Sequence, residues 1–177
     1  MSVESTKPLV FLTVGTDHHP FDRVVHWLDA WLESGAEDRV RCLVQHGASR
    51  PSALAPSREF LTYDEMDEAI RDAAVIISHG GPGTIMMAAE AGKVPIVVPR
   101  VRALREHVDD HQVLFAQRLR AERTIALADS ESKFRQFVDR ALANPLARPQ
   151  RASSTDDAVR RFEEVVDELM GVSRVTA

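Results

Sequence analysis

The stretch "AVIISHGGPGTIMMAAEAGKVPIVVP" (residues 74–99) sets the fold. It opens on an apolar, β-rich run. Three glycines and a proline crowd positions 78–83. A helix-like run over 84–92 follows, holding one carboxylate, Glu90. The stretch closes on a second apolar strand at 94–99. A strand, a glycine turn, a helix and another strand make the repeating unit of a parallel sheet.

The same alternation extends in both directions. "PLVFLTV" (8–14) and "VRCLVQ" (40–45) are apolar runs without polar alternation, the mark of strands buried on both faces. "FLTY" (60–63) predicts a short third strand, and "TIALA" (124–128) a sixth. Helical spacing is expected in "FDRVVHWLDAWLESG", "DEMDEAIRDA", "HQVLFAQRLRAE" and "SESKFRQFVDRALAN". Residues 46–58 read as loop. "TDDAVRRFEEVVDELM" predicts an amphipathic helix at about 155–170, with Val159, Phe162, Val166 and Leu169 as its apolar stripe. The expected fold is α/β: a Rossmann-like parallel sheet with helices on both faces, in one domain over 1–177.

Composition narrows the function classes. The chain has 177 residues, 44% hydrophobic and 28% charged, enough for one sizeable core. A net charge of −5 argues against a nucleic-acid backbone as partner. No apolar run reaches bilayer-spanning length, and the N-terminus lacks the features of a signal peptide. A single cysteine, Cys42, excludes an intrachain disulfide and fits a reducing cytosol. A cytoplasmic location is expected.

Ligands of such sheets bind at the carboxyl ends of the strands. That rim would carry "GTDHHP", "QHGAS", the approach to "TYDEM", "HGGPGT" and "RVRALREHVDDHQ". The glycine turn "HGGPGT" opens a helix, whose N-terminus offers unpaired N–H groups and the positive end of its dipole. This suits a phosphate. It lacks the spacing of G-x-G-x-x-G and the lysine of a P-loop. A tight turn without ligand is the plain alternative. Glu90 lies about 9 Å along the helix from Thr84. A carboxylate there can accept both hydroxyl hydrogen bonds of a ribose, although most helix glutamates are merely solvated.

The motif "SHGGPGTIMMAAEAGKVPIVVPR…EHVDDHQVLFAQRL" resembles the donor-binding half of GT-B glycosyltransferases of family 28. The likeness runs over roughly residues 8–128 and includes "VFLTVGTDHHPFDRVV". Short, single-domain members are the nearest in pattern. They include the small catalytic subunit of the dolichol-pathway UDP-GlcNAc transferase and related bacterial exopolysaccharide glycosyltransferases.

The resemblance implies a UDP-sugar donor and an inverting transfer to a lipid-linked or polysaccharide acceptor. His79, Gly80, Gly81, Gly83 and Thr84 would hold the diphosphate, with Gly15 and Thr16 nearby. Glu90 would hold the ribose, Tyr63 and Met66 would approach the base, and His111 and Gln112 would touch the sugar. Plant-type relatives have Asp at the place of His111 and Trp-Asn at that of Pro82-Gly83, so the sugar's identity does not carry over.

The helix N-terminus and His79 would stabilise the leaving diphosphate without a metal. No cofactor and no metal are expected. His107 and His111 stand four apart but lack an H-E-x-x-H pattern and a third ligand. His18 and His19 would face opposite ways in an extended chain. His19 and Asp17 are the rim candidates for the catalytic base. Arg100, Arg102 and Arg105 read as a solvated loop sooner than as phosphate ligands. Trp27 and Trp31 read as core or partner surface.

One α/β layer supplies a donor shelf but no acceptor wall. A membrane-anchored acceptor-binding subunit or a second copy of the chain is therefore expected, which would place the protein peripherally at the inner face of the membrane. The alternatives are a non-catalytic nucleotide-sugar-binding or regulatory module and an epimerase half-fold.

Overall fold

The computed structural model of the protein describes residues 7–144 and Arg160. The helix expected at about 155–170, and with it the stripe of Val159, Phe162, Val166 and Leu169, lies outside the described residues apart from Arg160.

Six parallel strands form one sheet in the order β3-β2-β1-β4-β5-β6. They are β1 (Leu9–Thr13), β2 (Arg41–Gln45), β3 (Ser57–Arg58), β4 (Ala73–Ser78), β5 (Ile96–Val97) and β6 (Ala126–Leu127). β1 is central and every residue in it is buried. It runs in register with β2 from Leu9 opposite Arg41 to Thr13 opposite Gln45, and with β4 through Phe11 opposite Ile76. Because helices cover both faces, neither set of alternating side chains meets water. This is why the strands read as unbroken apolar runs.

The two faces have separate cores. Val10 and Leu12 pack with Val24, Val25 and Leu28 of α1 (Asp22–Trp31) and with Phe134 and Val138 of α5 (Glu131–Ala143). Leu9 and Phe11 pack on the other side with Ala69 and Ile70 of α2 (Tyr63–Asp72) and Ala88 of α3 (Pro82–Glu90). Ile85 and Val97 extend that layer to Phe115 and Leu119 of α4 (His111–Ala121). Each fully buried Leu, Ile or Phe contributes about 1.5–3 kcal/mol. Trp31 belongs to the core, and its Nε1 donates to Asp139 at 3.1 Å. Trp27 packs half-buried against Phe134. Cys42 on β2 is half-buried, and burial pushes its thiol up to about 12.

The helix boundaries follow from their end groups. Thr62 and Glu65 form a reciprocal capping box at the start of α2. Lys93 Nζ donates to the carbonyls of Ile70, Arg71 and Ala73, satisfying the end of that helix. Ser130 caps α5 through the Lys133 amide. The loop over 46–58 is fastened to α1: buried Asp29 accepts from Arg50, Ser52 and the Ala53 amide.

Two boundaries differ from expectation. "FLTY" is not a strand; β3 is the two-residue Ser57–Arg58, followed by backbone bonds from His46 to Arg58 and from Gly47 to Glu59. Its edge position and polar residues leave no apolar pattern to read. Helix α3 begins at Pro82 and not at residue 84, with Gly81 as N-cap. Pro82 tolerates the first helical position because its missing N–H would have no partner there.

Candidate active site

The strand order reverses between β1 and β4, and the crevice at such a point is where sheets of this kind take ligands. The loops after those two strands meet across one imidazole. The His79 ring lies between Gly15 and Gly81. A Cβ on Gly15 would stand 2.5 Å from His79 Cε1, and one on Gly81 would stand 2.4 Å from Nε2. Gly15 also has a positive φ of 79°, so glycine is required there twice over. Gly81 has φ −66°, an ordinary value, so the need for glycine comes from the ring alone. Burial, and then the charge of Arg100, push the His79 imidazole down to about 4, which leaves it neutral at pH 7.

Gln45 fixes the Gly15 loop from behind. Its amide Nε2 donates to Gly15 O at 3.0 Å and to Glu59 O at 2.8 Å, while its Oε1 accepts from Thr13 Oγ1 and the Gly15 amide. These contacts shape a cleft of about 250 Å³. Gly15, Thr16, Met66, His79, Gly81, Gly83 and Thr84 line it, together with Thr13, Gln45, Phe60, Leu61 and Pro82. Gly80, with φ 93°, is buried and turns toward Val97 instead.

Four further expected residues lie outside the cleft lining. Tyr63 opens α2, is 71% exposed and does not line the cleft. Phe60, an aromatic just before the α2 cap, lines the cleft instead. Glu90 is exposed on the last turn of α3, about 12 Å along the axis from Pro82. His111 and Gln112 start α4 outside the cleft lining. The Oε1 of Gln112 is buried without a hydrogen-bond partner among the described residues.

Beside the cleft, histidines and carboxylates alternate along the rim. His19 Nδ1 and Asp17 Oδ1 are 2.7 Å apart, and the His19 amide donates to the same oxygen. Asp17 Oδ2 stands 3.5 Å from His107 Nε2. His107 Nδ1 reaches Asp109 Oδ1 at 3.1 Å, and Asp109 Oδ2 reaches His111 Nδ1 at 2.9 Å. Burial would raise the Asp17 carboxyl. The His19 hydrogen bonds and the Arg100 charge outweigh it and hold the group below its usual range.

Arg100 is no solvated loop residue. It is fully buried, and its guanidinium donates to the carbonyls of Val14, His19 and Glu106. Glu106 in turn accepts two bonds from Arg23 of α1, both at 2.8 Å, and one from the Val101 amide. Arg102 and Arg105 remain exposed. Arg100 and Glu106 thereby join the loop after β1 to the loop after β5 and set the distance between Asp17 and His107. His18 and His19 do not face opposite ways: bends at both residues turn the two rings to within 4.0 Å of each other, on the same carboxylate.

The family model described as Glycosyltransferase family 28 C-terminal domain matches residues 9–169. No curated protein matches the chain in sequence. Among solved structures, the spinosyn forosaminyltransferase SpnP is 20% identical, with a TM-score of 0.59 over 94% of this chain and 44% of its own. VinC, a glycosyltransferase in complex with dTDP, is 16% identical with a TM-score of 0.56 over 94% and 42%. MurG from Acinetobacter baumannii is 20% identical with a TM-score of 0.54 over 94% and 51%. The chain spans about half, or less, of the length of these structures. At such identities the likeness is one of fold.

Proposed function

Because the chain belongs to the glycosyltransferase family 28 C-terminal domains, with the fold of one half of a GT-B enzyme, we propose that it binds a UDP-sugar and transfers the sugar, with inversion, to a lipid-linked or polysaccharide acceptor. The observation that carries this reading is the His79 ring clasped by Gly15 and Gly81 where α3 opens. The two glycines let the neutral imidazole pack against bare backbone, and the cleft that it lines together with Gly83 and Thr84 is where a phosphate would meet the N–H groups of the first turn of α3. VinC, solved with dTDP, supports a nucleoside diphosphate as the ligand class.

In this reading Phe60 and Met66 flank the base, and Glu90 accepts from the ribose hydroxyls. His111 and Gln112, which open α4, meet the sugar. The helix end and His79 stabilise the departing diphosphate, and no metal is assigned to it. Asp17 holds the Nδ1–H tautomer of His19, so that Nε2 is free to take the proton of the acceptor hydroxyl. A membrane-anchored acceptor subunit or a second copy of the chain supplies the facing wall and keeps the protein at the inner face of the membrane.

Glu90→Ala is expected to weaken UDP binding by about 1.5–3 kcal/mol, the worth of hydrogen bonds to a charged group. Calorimetry on the folded variant decides it, and an unchanged affinity removes Glu90 from the site. Gln112→Ala is expected to slow transfer while leaving UDP affinity near the wild-type value. Equal losses for UDP and UDP-sugar contradict its assignment to the sugar.

A set of UDP-sugars, tested with membranes of the native host as acceptor source, tests the reaction itself. A second reading is a donor-binding module without turnover of its own. UDP binding with no transfer to any acceptor, alone or with membranes, would establish that reading instead.

A further inference from the structure

We propose that Asp17, His18, His19 and His107 form a binding site for a divalent transition metal of the zinc, cobalt and nickel class. One ligand atom each from Asp17, His18 and His19 lies within 4.8 Å of the others. Asp17 Oδ1 stands 2.7 Å from His19 Nδ1 and 3.9 Å from His18 Nδ1, and its Oδ2 stands 3.5 Å from His107 Nε2. Ligands held about 2.1 Å from a tetrahedral ion are roughly 3.4 Å apart, so Asp17, His18 and His19 need only small adjustments, while His107, which reaches Asp17 Oδ2, must move toward the other two imidazoles to complete the set.

Two further observations point to a ligand. His18 and His19 are consecutive, and extended neighbours project to opposite sides; here both turn to one carboxylate. His107 has a carboxylate behind it, since its second nitrogen faces Asp109 Oδ1 at 3.1 Å. Metal-bound imidazoles are held by a partner of that kind.

Three imidazoles and one carboxylate select a borderline metal over magnesium or calcium. The Arg100 charge nearby opposes any cation, and Asp17 and Asp109 offset it. Glu106 does not contribute, because Arg23 occupies both its oxygens.

The consequence rests on the proposed transfer reaction. The ion would take His19 Nδ1 and an Asp17 oxygen, the two atoms that orient the base. Metal binding and base catalysis then exclude each other, and zinc is an inhibitor of this enzyme and not its cofactor.

The test uses the full chain, without a polyhistidine tag and stripped by chelator, titrated with Co²⁺. The visible bands of a tetrahedral nitrogen and oxygen site are expected, saturating at one ion per chain. His18→Ala, at a side chain that is 85% exposed, and His107→Ala should each weaken binding at least about 10-fold. Asp109→Asn should weaken it by about 10- to 100-fold through His107. No bands in the wild type, or equal affinity in the His18 and His107 variants, overturns the site. UDP calorimetry on the metal-free chain tests the donor reading separately, so the two can fail independently.

Discussion

Gly81→Val is expected to cut UDP affinity at least about 100-fold, roughly 2.7 kcal/mol, with a modest loss of stability of about 1–3 kcal/mol from overpacking. The backbone at Gly81, with φ −66° and ψ 133°, suits valine, so the loss of stability comes from packing and not from strained angles. The His79 ring is the obstacle. A Cβ would stand 2.4 Å from Nε2 and 2.8 Å from Cε1, and the ring cannot retreat, because Gly15 closes the other side at a similar distance. The ring or the turn must leave its place, and the two γ carbons would fill the approach to the first turn of α3. Calorimetry with UDP and a thermal melt read both halves of the expectation. Wild-type affinity in the variant would show that no ligand approaches this turn.

Arg100→Met should be the most damaging single change to the fold of the rim. It leaves the carbonyls of Val14, His19 and Glu106 without their donor, two of them buried beside the base. Unsatisfied buried acceptors cost about 1–3 kcal/mol each, offset in part by no longer burying a charge. A net loss of about 3–5 kcal/mol and a drop in melting midpoint of roughly 10 °C are expected. Urea titration measures the first and calorimetry the second. A loss under about 1 kcal/mol would mean that water replaces the guanidinium and that the two loops are held by Glu106 and Arg23 alone.

These two residues also mark the limit of what the sequence discloses. The parallel sheet was legible because a strand buried on both faces has nowhere to put a polar side chain, and "PLVFLTV" has none until its threonine. The glycine turn was legible as a helix entrance. The reason for Gly81 was not: valine-compatible angles and a ring 2.4 Å away look alike in one dimension.

Arg100 sits among charged neighbours in "RVRALREHVDD", and composition assigns it to solvent. Only the convergence of three carbonyls from distant positions explains its burial, and backbone acceptors leave no trace in a sequence. That Phe60 and not Tyr63 lines the cleft has a simpler cause. Thr62 caps α2, which commits Tyr63 to the first turn and its side chain to the outside. The DHH triplet was misread because alternation was assumed where the chain bends.

Cys42 gives the protein a built-in gauge of its own breathing. Thiolate is the form that reacts, and with the thiol pushed up to about 12 almost none exists at neutral pH in the folded chain. Alkylation of this half-buried thiol is then slow in the folded chain, and its rate rises with any opening at this flank of the sheet. The probe is native and touches nothing on the rim. Donor, metal and partner can each be scored by how far they slow it.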